Sequence, residues 1–261
     1  MKINLTLLLS LFLLWSCGEK YEKKGFQVSE VVENEAGEKV AGLSLDTIKM
    51  ETRPSKVLLT KNPAYRITPI FKVNTSKPSG EIFVGSPEYY STWGDEDDKD
   101  GNNWNGNFMP GTTAMYGYNL VNLSLFDFQS KKAKYFFPKP VLIKTFYYPA
   151  FSKDSMDFKP VERNYYMVSV YDEDSNNDGF LNLKDLRRFY HFDIKGENKQ
   201  VLVPPNYSVV SSQYDAGNDF MFVYAKKDSN NNGEIEESEP LDVFWIDVKN
   251  PLNRGLQYQA E

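Results

Sequence analysis

Tyr165-Tyr166-Met167-Val168-Ser169-Val170-Tyr171, then Asp174-Ser175-Asn176-Asn177-Asp178-Gly179, then Phe189-Tyr190-His191-Phe192-Asp193-Ile194: two aromatic and β-branched runs separated by an Asn/Asp/Gly loop. Such runs favour extended backbone, and Asn, Asp and Gly favour the turn between them. The pattern returns without a gap at an offset of 54 residues, from Asp174 to Asp228, and also matches Met167 to Met221, Gly179 to Gly233, Leu181 to Ile235, Asp193 to Asp247 and Lys195 to Lys249. One unit is used twice. Phe220 to Tyr224 precedes the second loop and Val243 to Val248 follows it, so both loops are expected to join strands. Leu186-Arg187-Arg188 has the composition of a helical turn, but Pro240 at the equivalent point of the second copy opposes a helix.

Outward from this unit the period stays near two. Gly42 to Ile48 and Ser55 to Thr60 alternate apolar and polar residues, punctuated by Pro54, Pro63 and Pro69, and no long helical pattern follows. Residues 65–149 read as a third, divergent copy or as a separate lobe, with strand-like Glu81 to Val84 and Asn119 to Phe128 flanking an irregular Trp/Asn/Gly loop. The expectation is an all-β domain over 26–261, with a divergent part at 26–149 and repeats at 150–206 and 207–261. A unit of about fifty residues with some four strands resembles a β-propeller blade in length and strand pattern. A twisted sandwich of two sheets is the alternative.

Composition agrees with strands: the 261 residues include 17 Tyr and 18 Phe. The net charge of −6 and the lack of a Lys/Arg cluster argue against a nucleic-acid partner. Lys2, the apolar run Ile3 to Trp15 and Ser16-Cys17-Gly18 resemble a bacterial lipoprotein signal, although Trp15 is bulky for that pattern. The resemblance implies removal of 1–16, a lipid on Cys17 and a tether over 17–25. It also implies an extracytoplasmic place at the cell envelope, periplasmic or on the outer membrane's surface side. Cys17 is the only cysteine, so no disulfide can hold an exported domain together, and a bound metal is an alternative cross-link.

Within each loop, oxygen-bearing side chains stand at positions 1, 3 and 5, Gly at 6, an aliphatic residue at 8 and a carboxylate at 12. That is the ligand spacing of a Ca²⁺ loop. The first set is Asp174, Asn176, Asp178, the Phe180 carbonyl, Asn182 and Asp185; the second is Asp228, Asn230, Asn232, the Glu234 carbonyl, Glu236 and Glu239. Both resemble the EF-hand calcium loop, and the first departs from it by having Asp185 where that family usually has Glu. Strands in place of helices on either side separate the chain from helix-loop-helix EF-hands and dockerin-type modules. With few formal charges among the ligands, the expected affinities are weak, on the order of 10⁻⁵ to 10⁻³ M. The bland reading of either loop is a turn that binds nothing. Glu96, Asp98 and Asp100, followed by Gly101, copy the start of the motif, but Asn103 and Asn107 replace its anchor and its closing acid, so this third match is weak.

Catalytic signals are sparse. His191 is the sole histidine, no Gly-x-Ser-x-Gly elbow accompanies it, and a packing role is the simpler expectation. Trp93, Trp104 and Tyr116, mixed with Asn and Gly, have the chemistry of a sugar-stacking surface, though aromatics in such a chain are more often core. The sequence therefore points to a lipid-anchored envelope protein that binds or scaffolds, with Ca²⁺ as a structural staple and a glycan or an envelope protein as candidate partner. A calcium-stabilised hydrolase acting on polysaccharide or peptide is the alternative.

Overall fold

The computed structural model describes residues 25–28, 31–33, 39–41, 50–75, 82–84, 87–89 and 109–260, and among them every regular element is a β-strand. The first strands are β1 (Phe26–Gln27), β2 (Val31–Glu33), β3 (Lys39–Ala41), β4 (Thr52–Pro54), β5 (Tyr65–Thr75), β6 (Ile82–Val84) and β7 (Pro87–Tyr89). The middle of the chain supplies β8 (Thr112–Gly117), β9 (Leu120–Asp127), β10 (Lys132–Tyr135), β11 (Leu142–Pro149), β12 (Asp154–Met156), β13 (Lys159–Val161) and β14 (Tyr165–Tyr171). The last are β15 (Phe180–Leu181), β16 (Arg188–Asp193), β17 (Gln200–Val201), β18 (Tyr207–Asp215), β19 (Phe220–Lys227), β20 (Leu241–Asp247) and β21 (Arg254–Tyr258). The all-β expectation holds.

Three principal sheets carry the architecture. The first has the order β10-β9-β5-β4 with β6 also on β5, the second β17-β16-β14-β11-β8-β7, and the third the meander β18-β19-β20-β21. Side-chain alternation along β14 sends Tyr166, Val168 and Val170 to one face of the second sheet and Tyr165 and Met167 to the other. The former join Ile67, Phe71, Leu123 and Leu125 of the first sheet in one core. The latter join Val209, Met221, Val223, Phe244 and Ile246 of the third sheet in another. The second sheet is thus a middle layer buried on both faces, which is why β14 reads as an almost unbroken apolar run. The first and third sheets each share one core with the second.

Two β-bulges keep the layers in phase. Pairing of β11 with β14 shifts between Ile143 and Thr145, so that Ile143 and Phe146 face the same core although their numbers differ by an odd count. On β18 the shift falls between Val209 and Ser211, and Val209 and Tyr214 then share the second core.

The duplicated unit is the hairpin β14–β16 in the middle layer and the hairpin β19–β20 in the third. Their registers differ by one residue: Val168 faces Tyr190, whereas Phe222, its counterpart in the second copy, faces Trp245 instead of Phe244. A one-residue slip exchanges the two faces of the returning strand. Phe192 therefore enters the first core while its counterpart Ile246 enters the second, and His191 and Trp245 do not occupy equivalent places.

A buried polar clip ties the layers together. The Arg163 guanidinium donates to both carboxylate oxygens of Asp219 at 2.7 and 2.9 Å and to the carbonyls of Pro110 and Val248 at 3.1 and 3.2 Å. Tyr214 Oη adds a donor to Asp219 at 2.9 Å. Removed from water, this carboxylate is tolerable only because it is fully paired.

Candidate metal centre

Residues 174–185 and 228–239 leave and re-enter strands directly, with no helix on either side. Both begin with an aspartate that folds the chain around itself. Asp174 accepts from the Asp178 and Gly179 amides at 3.1 and 2.9 Å, and Asp228 accepts from the Asn232 and Gly233 amides at 3.1 and 3.0 Å. Position 3 repeats the theme, Asn176 Oδ1 on the Asp178 amide and Asn230 Oδ1 on the Asn232 amide. So does position 5, where Asp178 accepts from the Phe180 amide and Asn232 from the Glu234 amide, each at 2.9 Å. Positions 4 and 6 complete the curl with positive φ: Asn177 56° and Gly179 84° in one loop, Asn231 57° and Gly233 77° in the other. Gly suits position 6 because a Cβ is strained there.

The twelfth residue closes each ring. Asp185 accepts from the Ser175 and Asn182 amides, both at 2.8 Å; Glu239 accepts from the Ser229 and Glu236 amides at 2.8 and 3.0 Å. Asp and Glu thus reach the same two positions, 2 and 9, despite the difference of one methylene. Burial pushes the Asp185 carboxyl up to about 6, with the Asp174 charge adding to the effect and the amides of Asn182 and Ser175 opposing it.

The amides of the Asn side chains are oriented by acids. Asn176 Nδ2 donates to Glu234 at 2.6 Å, and the Nδ2 groups of Asn230 and Asn232 both donate to Glu236, at 3.3 and 3.1 Å. Asn182 Nδ2 makes a long bond of 3.4 Å to Asp178, while its Oδ1 accepts from the Lys184 amide at 2.7 Å. The donor set is oxygen only, the type that a hard cation takes. Among the described residues no group of three His, Cys, Asp or Glu side chains is gathered as a ready cage. A cation in either loop would have to enlist the Asn oxygens and the carbonyls of Phe180 and Glu234 as well.

The two loops touch, which their sequences do not announce. Ser175 Oγ donates to the Gly233 carbonyl at 2.6 Å and accepts from the Leu186 amide at 2.7 Å. Ser stands at position 2 of both loops, and only its repetition hinted at a role. A second unforeseen partner is the N-terminal strand: β1 pairs with β15, the seventh and eighth residues of the first loop, and the Val28 amide donates to the Gly179 carbonyl at 3.0 Å. The loop's aliphatic anchor, Leu181, is fully buried with Phe26, Val28, Leu142 and Tyr171. Ile235, its counterpart, is only half-buried.

Cys17, the third acidic turn Glu96, Asp98 and Asp100, and Trp93 and Trp104 lie outside the described residues. Tyr116 lies half-buried in β8, opposite Thr145 and Glu88. His191 lies against the Tyr165 ring, 5.7 Å between centroids, with a buried and unpartnered Nδ1, and burial lowers its pKa. An open pocket of about 280 Å³ carries Lys61, Asn62 and Glu162 on its wall. There the Lys61 ammonium, 2.6 Å away, holds the Glu162 carboxyl below the usual range, opposite to what a general acid requires. No family model matches the chain, and no curated protein matches it either.

Proposed function

We propose that the protein is a calcium-stapled β protein of the bacterial cell envelope, anchored through a lipid on Cys17, that binds or scaffolds a glycan or an envelope protein. The observation that carries the calcium reading is the recurrence of one hydrogen-bonded ring in both loops: position 1 holds the amides of 5 and 6, and position 12 holds those of 2 and 9. A turn with no ligand has no need of the same ring twice, with oxygen-bearing side chains at positions 1, 3, 5, 9 and 12 of both loops. Ca²⁺ suits the set because it accepts carbonyl and carboxylate oxygens at variable number, and its charge would favour the ionised form of Asp185 that burial disfavours. Strands on both sides leave no helix pair to open, so the ion acts as a staple and not as a signal. The propeller-like reading of the repeat is supported by the four-stranded meander β18-β19-β20-β21 and its face-to-face stacking on the middle layer.

The test is thermal unfolding of the full chain in millimolar Ca²⁺ and in chelator, beside a calorimetric titration. At an ion concentration of 100 times Kd, each filled site adds about 2.7 kcal/mol. The combined Asp174→Ala and Asp228→Ala variant should lose most of the difference between the two conditions. Equal melting of the unaltered chain with and without chelator would defeat the staple.

A further inference from the structure

The first loop faces two ways at once. Phe180 and Leu181 form the strand β15, and in an extended chain the N–H and C=O of one residue point to the same side while those of its neighbour point to the other. The Phe180 amide donates inward, to Asp178 at 2.9 Å, so its carbonyl also faces the loop. Gly179 and Leu181 face outward, and there they meet the N-terminal strand: Phe26 pairs with Leu181, and the Val28 amide bonds the Gly179 carbonyl at 3.0 Å. The approach is tight enough that a Cβ on Gly25 would stand 1.8 Å from the Leu181 carbonyl oxygen, and Gly25 has φ +60°. Phe26 and Val28 then complete the apolar cluster around Leu181.

We propose that an ion in the first loop is the clasp that holds the N-terminal strand on the body. This rests on the calcium reading of the loop. Pulling the Phe180 carbonyl onto a cation fixes the peptide planes on both sides of Phe180, and those planes carry the outward ladder. Without the ion, Asp174 and Asp178 repel within the loop, the Phe180–Leu181 strand loses its fixed orientation, and residues 25–28 lose their ladder. The second loop has no such partner, since Ile235 belongs to no strand. Linkage makes the relation reciprocal: docking of the strand raises the affinity of the first loop by the same factor by which the ion favours docking.

The experiment is hydrogen exchange of the full chain in Ca²⁺ and in chelator, with calcium titration run on the same samples. The expected result is that the Val28 amide exchanges at least tenfold faster in chelator while the amides of β14 and β19 stay protected. Asp174→Ala should abolish this response and Asp228→Ala should leave it. Gly25→Ala, which lies outside the loop, should weaken one of two calcium sites severalfold and spare the other. If calcium binds the first loop and Val28 exchange is the same in both conditions, the clasp is overturned and the calcium reading stands. If calcium does not bind, both fall. Unchanged affinities in Gly25→Ala also overturn the clasp, whatever becomes of Asp174→Ala.

Discussion

Ser175 of the first loop and Gly233 of the second are held face to face: the Ser175 hydroxyl donates to the Gly233 carbonyl at 2.6 Å, and a Cβ on Gly233 would stand 1.9 Å from the Ser175 carbonyl oxygen. Gly233→Ala therefore strains the second loop, whose φ there is +77°, and pushes it off the first. A loss of about 1–3 kcal/mol is expected, measured by urea unfolding. Ser175→Ala should cost less, about 1 kcal/mol, because it removes hydrogen bonds without a clash.

Glu234 reaches across the same contact to hold the Asn176 amide at 2.6 Å. Glu234→Gln keeps the Glu234 backbone carbonyl for its own loop but exchanges a charged acceptor for a neutral one. Calcium titration should show the first site weakened severalfold, so that a variant in one loop is read out in the other.

Asp219 and Arg163 are 1% and 3% exposed and depend on each other. Arg163→Met leaves the Asp219 carboxylate buried with Tyr214 Oη as its remaining side-chain donor, and a loss of about 3–5 kcal/mol is expected in denaturant unfolding. Replacing both residues by apolar ones of similar volume should recover part of it.

His191 gives the fold a pH dependence of known sign. Burial sets its pKa below the ordinary 6.5, so as pH falls the unfolded chain takes up the proton first. The stability from the neutral ring is complete above about 6.5 and is lost as pH drops below that value. Nδ1 has no partner to forfeit, so His191→Phe should fold and show a smaller difference in Tm between pH 7.5 and 5.5.

Cys17→Ser addresses the anchor. The unaltered protein is expected in the membrane fraction of the producing bacterium and the variant in the soluble fraction; equal partitioning of both would remove the lipid from the account.

The strands around Asp174 and Asp228 were legible because Val, Tyr and Phe repeat on both sides of turn residues, and the 54-residue offset showed a duplication. The layering was not. Whether Tyr166 and Met167 face one core or two depends on what covers each side of β14, and an apolar run carries no record of that. The register slip was hidden for a similar reason: 54-residue matching aligns residues along the chain, while Trp245 opposite Phe222 is a relation across the sheet. The loops' oxygen-bearing positions could be read individually, since the hydrogen bonds from backbone amides that close each ring span ten residues or fewer. Their contact through Ser175 and Gly233, 58 residues apart, could not be, and neither could the docking of Phe26 on Leu181.

That docking has a mechanical side. The β1–β15 ladder is two residues long, whereas the β18–β19 ladder pairs eight positions. Tension applied from the N-terminus reaches Gly25–Val28 before any of the three large sheets. The short ladder would peel first, freeing residues 25–28 while the layered interior stays intact. The junction is therefore expected to yield at a lower force than the layered interior.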